Sequence, residues 1–357
     1  MRSRYLTLFS LIAAVMLVAA GCGGRDDDTT TGGGDGGAAA SDVQVGLSLD
    51  IGGLGDQSFN DAANAGLQQA TGEGLVSEDN TQINEANASG SNRGENVELL
   101  AEEGFDLVVA NGFAFSPDID ELAPQFPDVF FAVTDGFAAE ADNVTNMAFK
   151  EHEGSFLMGV AAAMKSEAGT IGFLGGQEGT GLIERFQAGY EAGAQAVDPN
   201  IEILVEYIGD DVTAFNEPTK GEALSNKMFD AGADIVYHAA GASGAGLFKA
   251  AVEQDALAIG VDQDQSLTAS PEQQAVILTS MLKRVDTAVF NVIQQVTEDD
   301  FQSGGIVLGL AEEGVDYAVN EFNDTDELLS QDIQAEIDKY KEQIINGEIT
   351  VPDAPEG

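Results

Sequence analysis

Several residues with chemical capacity recur at one kind of position in this chain. Asp50, Asn111, Asp135, Gly175, Gly209, Gly241 and Asp262 each follow closely on a short apolar run. Where such runs are parallel strands, residues beyond their carboxyl ends converge on one crevice, which is where open α/β sheets hold small ligands. Phe59 stands among polar neighbours, Asp56, Gln57, Ser58 and Asn60, at the start of a helical pattern. An aromatic face there suits stacking on a planar ring, and Asn60 brings both a donor and an acceptor. The alternative for Phe59 is a hydrophobic staple on its own helix; for Asp50 and Asp262 it is a turn that ends a strand. Catalytic constellations are sparse. Two histidines, His152 and His238, exclude a site built from three. Glu151-His152-Glu153 lacks the second histidine of a helical zinc pair, so His152 reads as a surface or hinge residue and His238 as a structural one. Gly172–Gly176 lacks the Lys and Ser/Thr of a phosphate loop, Asp262-Gln263-Asp264 lacks the spacing of a calcium loop, and no G-x-S-x-G elbow occurs.

The elements that must position these residues alternate. Strands are expected at 43–49, 107–110, 129–134, 171–174, 201–207, 235–237, 256–261 and 276–282. Helical periodicity marks 58–70, 94–103, 119–122, 183–196, 221–231, 245–253, 285–296 and 327–345. Strands alternating with helices imply parallel sheets with helices on their faces, and the number of units suffices for two such sheets. Ser58 and Asp61 resemble a capping box at the first helix, with Asp in place of Glu.

Residues 1–21 combine Arg2 and Arg4, an apolar run from Leu8 to Ala20 and small residues before Cys22. That layout is a secretory signal, with an apolar core shorter than a membrane span. Cys22 is the single cysteine and cannot form an intrachain disulfide. Its setting resembles a lipobox, which makes it the expected lipidation site. Residues 22–41, rich in Gly, Asp, Thr and Ala, read as a flexible tether. The folded part, 42–357, is long enough for two lobes. Against 14 Lys+Arg stand 62 Asp+Glu, a net charge of −48. Acidic groups dispersed over an ordinary core suit work in high salt, where self-repulsion is screened. The same charge opposes binding to nucleic acid.

The run from Asp50 to Asn60, Asp-Ile-Gly-Gly-Leu-Gly-Asp-Gln-Ser-Phe-Asn, resembles the signature of the basic membrane protein (BMP) family, lipoproteins of purine-nucleoside ABC importers. Blocks in the same order follow: 172–176 with Arg185–Gly189, 207–209, 232–236, His238–Gly241, Gly260–Gln265, Thr279–Asp286 and Ile345–Ile349. The likeness spans residues 43 to about 352. It implies a periplasmic-binding-protein-like type I α/β fold of two doubly wound parallel-sheet lobes joined by a hinge. Lobe 1 would hold about 42–148 plus 264–300, and lobe 2 about 149–263 plus 301–357. The resemblance further implies that Asp50, Asp262 and Lys283 bond ribose hydroxyls, that Phe59 and Phe215 face the base, that Asn60 and Asp135 read its edge, and that Gly241 admits the sugar to the backbone. The expected function is a lipid-anchored, extracytoplasmic solute-binding protein that is not an enzyme. No cofactor is expected, and the partners are a nucleoside, permease subunits with a cytoplasmic ATPase, and the membrane through the lipid anchor. The alternatives are a receptor for a sugar or another small molecule, in transport or signalling, and a nucleoside hydrolase using Asp262 and Asp264.

Overall fold

A computed structural model describes residues 41–323 and 328–355. The expected leader, Cys22 and all but the last residue of the tether lie outside the described residues. From residue 41 onward the chain builds two six-stranded sheets. The first contains β1 (Val45–Leu49), β2 (Thr81–Glu85), β3 (Leu107–Asn111), β4 (Phe130–Thr134), β5 (Val144–Phe149) and β11 (Gly304–Leu308), in the order β11-β5-β4-β3-β1-β2 and all parallel. The second contains β6 (Thr170–Gln177), β7 (Glu202–Gly209), β8 (Ile235–Ala239), β9 (Leu257–Asp262), β10 (Ile277–Lys283) and β12 (Val315–Tyr317), in the order β12-β10-β9-β8-β6-β7. There β12 runs antiparallel to β10 and closes one edge.

Burial explains the strand sequences. β1, β3 and β8 are buried at every residue, as continuous apolar runs must be when helices cover both faces of a parallel sheet. The helices are α1 (Phe59–Gly72), α2 (Arg93–Glu103), α3 (Ser116–Leu122), α4 (Glu151–Lys165), α5 (Ile183–Val197), α6 (Pro218–Asp230), α7 (Ala245–Gln254), α8 (Pro271–Gln274), α9 (Val285–Thr297) and α10 (Gln331–Ile345). In α1 the buried positions Ala62, Ala63, Gly66, Leu67 and Ala70 recur at three- and four-residue spacing, one apolar stripe in which Gly66 lies against the backbone of α9.

Among the described residues the chain passes between the lobes three times: from β5 into α4, from β10 into α9, and from β11 to β12. This corrects the lobe boundaries drawn from sequence. β10 pairs with β9 in the second sheet, so 277–283 belongs to lobe 2. β11 pairs with β5 in the first sheet, so 304–308 belongs to lobe 1. The Asp262 break looks like a crossing, but it is a left-handed turn (φ 68°) at a strand end, and the chain crosses at Arg284. No Gly or Pro marks that point.

Candidate functional site

The first strand end and the start of α1 form one bonded unit. The Asp56 carboxylate accepts from the backbone N–H of Ser58 (2.9 Å), Asn60 (2.9 Å) and Asp61 (3.1 Å), which makes it the cap of α1. The expected box between Ser58 and Asp61 does not form. Asp61 instead accepts from the backbone of Gly55 (2.8 Å) and Gln57 (2.9 Å), and the Ser58 hydroxyl, free of capping, donates across the cleft to the Asp262 carboxylate. Asn60 is buried, and its amide is occupied. Its Oδ1 accepts from Asp50 N (3.1 Å) and Asn111 Nδ2 (3.3 Å), and its Nδ2 donates to Ile51 O (3.3 Å) and Asp56 Oδ2 (3.0 Å). Asn60 therefore holds the loop together with the same groups that a base edge would require.

Asp50 lies beside Arg93, whose Nε donates to it at 2.6 Å and whose terminal nitrogen completes an ion pair. Burial pushes the Asp50 carboxyl up and Arg93 pulls it back. From the second lobe, Asp262 closes β9, and its carboxyl is pushed up to about 6, chiefly by burial; Lys283 and Ser58 oppose that rise. Asp135 and Asp262 both have a positive φ, 56° and 68°. Such backbone is uncommon outside glycine, and the surrounding structure must enforce it.

Lys283, the last residue of β10, has its side chain only 1% exposed. Its Nζ lies 2.7 Å from Asp135 Oδ2 and 3.2 Å from Glu151 Oε1. The rings of Phe59, Phe149 and Phe186 surround it at 5.3, 5.1 and 5.5 Å, within cation–π range. Burial works against the ammonium, but Asp135, Glu151 and Asp262 outweigh it and push the Lys283 pKa up. Because Lys283 and Asp135 touch, they serve the same end of the cavity.

All eight residues expected at the site, Asp50, Phe59, Asn60, Asp135, Phe215, Gly241, Asp262 and Lys283, line one cavity of about 630 Å³, part of it open to solvent. Ile51, Phe113, Leu182, Ile183 and Phe186 supply apolar wall. Phe59 comes from lobe 1 and Phe215 from lobe 2. The lobes are tied shut outside this cavity as well: Gln263 Nε2 donates to Ser58 O (3.3 Å) and Gln265 Nε2 to Gln57 O (2.9 Å). A cavity lined by rings from both lobes, by carboxylates and by a charged donor can hold an uncharged ligand that has a flat face and hydroxyl groups.

Sequence reasoning missed Asp56, Ser58, Arg93 and Glu151. Rarity was the available signal for Arg93: a cation among 14 Lys+Arg facing 62 acids invites the question of what it pairs with. His238 is buried, its Nε2 lies 2.9 Å from Gln265 Oε1, and burial holds its imidazole down at about 4. It is neutral and structural. Among the described residues, no group of three or more His, Cys, Asp or Glu is arranged to hold a metal ion.

The family described as "ABC transporter substrate-binding protein PnrA-like" (Bmp) matches residues 43–355. A "CD4+ T-cell-stimulating antigen" of Listeria monocytogenes is 33% identical, over 88% of this chain and 90% of its own length. The "ABC transporter nucleoside-binding protein BmpA" of Lactococcus lactis subsp. cremoris is 30% identical, over 87% of this chain and 90% of its own. Among solved structures, an ABC transporter solute-binding protein of Aeropyrum pernix K1 is similar with a TM-score of 0.75 and 26% identity, covering 87% of this chain and 94% of that one. A periplasmic ribose ABC transporter protein of Conexibacter woesei, at 13% identity and TM-score 0.57, shares the fold, the periplasmic-binding-protein type I arrangement.

Proposed function

The chain belongs to the Bmp family of PnrA-like ABC transporter substrate-binding proteins, and from that premise we propose that its interlobe cavity captures a nucleoside. Members of this family bind a transporter's substrate and are not enzymes; their partners are the permease and ATPase subunits of the transporter. One observation carries the nucleoside reading: rings from opposite lobes, Phe59 and Phe215, border the cavity that also contains the Asp262 carboxylate and the Lys283 ammonium. Flat faces suit a base, and stacking on such rings is worth roughly 1–3 kcal/mol per base. The carboxylate and the ammonium suit the hydroxyls of a ribose through charge-assisted bonds.

In this reading Asp262 and Lys283 bond the sugar, Gly241 admits it, and Phe59 and Phe215 enclose the base. Asp50 faces the ligand from its pair with Arg93, and Asp135 acts at the Lys283 end. Asn60 shapes the loop and supplies an edge contact only through a rearranged amide. Cleavage after residue 21 and lipidation of Cys22 would tether the domain to the outer face of the cell membrane. The reading is tested by thermal unfolding of the protein with inosine, hypoxanthine, ribose and inosine monophosphate. Inosine is expected to raise the midpoint well above the other three; ribose alone doing as well would replace the nucleoside with a sugar. Release of free base during incubation would make the protein a hydrolase.

A further inference from the structure

Glu151 sits where the chain first crosses between the lobes, two residues after β5 and at the first position of α4. Lys283 sits where the chain crosses back, two residues before α9. Glu151 Oε1 lies 3.2 Å from Lys283 Nζ, and both side chains are 1% exposed. The walls of the main cavity include Lys283 and Asp135 but not Glu151, which lines an adjoining cavity of about 610 Å³ with Asp135, Phe137 and Arg185. Glu151 therefore acts on the ligand only through a neighbour. We infer that Glu151 is a positioning residue for capture: with Asp135 it fixes the Lys283 ammonium in the pose that reaches the ligand, from a crossing between the lobes.

The geometry of the ammonium supports this. Lys283 has three N–H groups. Asp135, at 2.7 Å, accepts one of them, and Glu151, at 3.2 Å, adds an ion pair without a hydrogen bond, which leaves N–H groups for the cavity. With Asp135 as the one carboxylate partner, the ammonium loses the second negative charge that fixes its position. The groups that face Glu151 are Lys283 from β10, Asp135 from the turn after β4, Arg185 from α5 at 3.8 Å, and Tyr237 from β8. Burial pushes the Glu151 carboxyl up to about 7, against the pull of Lys283, while Asp135 adds to the rise. With its carboxyl raised by burial, Glu151 is expected to lose its charge as pH falls, and its hold on the Lys283 ammonium is expected to weaken with it.

The inference rests on the nucleoside reading and is tested with inosine by titration calorimetry on the wild type and Glu151→Gln across pH. Glutamine keeps the shape and removes the charge. The variant is expected to bind about tenfold more weakly at about pH 8.5 and to come within about twofold of the wild type near pH 5.5, where Glu151 itself is protonated. Asp262 is present in both proteins and lowers the affinity of both as pH falls. Equal affinity of the two proteins at about pH 8.5 would assign Glu151 to packing alone and overturn the inference, as would tighter binding by the variant. If Glu151→Gln does not fold, Glu151→Asp keeps the charge but draws it back from Lys283 and should weaken inosine binding at about pH 8.5; unchanged affinity there overturns the inference. A wild type that binds no nucleoside sinks the functional reading as well, a result distinct from equal affinity.

Discussion

At the residue scale, the cleft carries charge at a cost to its own stability. Asp262 is an instance. Its folded-state carboxyl stands at about 6, above the usual 3.8, because it is buried. A group raised in this way stabilises the fold most when protonated, and that contribution is lost as pH rises through about 6. Ligand hydroxyls, in contrast, bond the ionised form, so affinity falls as pH drops through the same value. Asp262→Asn separates the two effects. Asparagine tolerates the left-handed backbone found there (φ 68°), so the variant should unfold at higher temperature than the ligand-free wild type near neutral pH, by up to about 2–3 kcal/mol in stability. It should bind nucleoside more weakly at the same pH. Thermal unfolding and calorimetry on one preparation check both; a variant that is less stable and binds equally well contradicts this account of Asp262.

At the scale of elements, α4 and α5 decide how firmly the site is held, because α4 begins with Glu151 and α5 carries Arg185 and the wall residue Phe186. The two helices meet backbone to backbone. A Cβ on Gly159 would strike the Tyr190 carbonyl, and one on Gly193 would strike the carbonyl of Phe156. Gly193→Ala must therefore push the helices apart, and a loss of about 1–3 kcal/mol is expected by chemical denaturation; an unchanged midpoint would show that the contact is slack. Helix α4 also shows why some elements escaped the sequence. From Phe156 to Ala162 every residue is buried, so no polar face gives the stretch a helical period. The strand β2, Thr-Gln-Ile-Asn-Glu, was missed for the opposite reason, being polar at the edge of its sheet. Buried central strands such as β1 and β8 were legible as apolar runs closed by Asp50 and by the Ala240-Gly241 break. The residues at the strand ends were legible with them. Their partners were not, since nothing local in the sequence joins Arg93 to Asp50, or Glu151 to Lys283.

At the scale of the whole molecule, the dominant property is a net charge of −48. Spread over a normal core, it opposes the compact state through self-repulsion, which salt screens with a Debye length of about 10 Å at 0.1 M and about 3 Å at 1 M. The unfolding temperature is expected to climb from low salt to molar salt, and a flat salt series would remove high salt as the working condition. The same screening bears on function, because lobes that repel each other close less readily around a ligand. Closure itself is written in the bonds between lobes, from Ser58 to Asp262 and from Lys283 to Asp135. The most direct test of nucleoside capture between these lobes is titration calorimetry with inosine at molar salt, on the wild type and on Phe59→Ala. The account predicts saturable binding of one inosine per chain, weakened about tenfold or more, at least about 1.4 kcal/mol, when the ring is removed. Absence of binding by the wild type, or equal affinity in the two proteins, would contradict it.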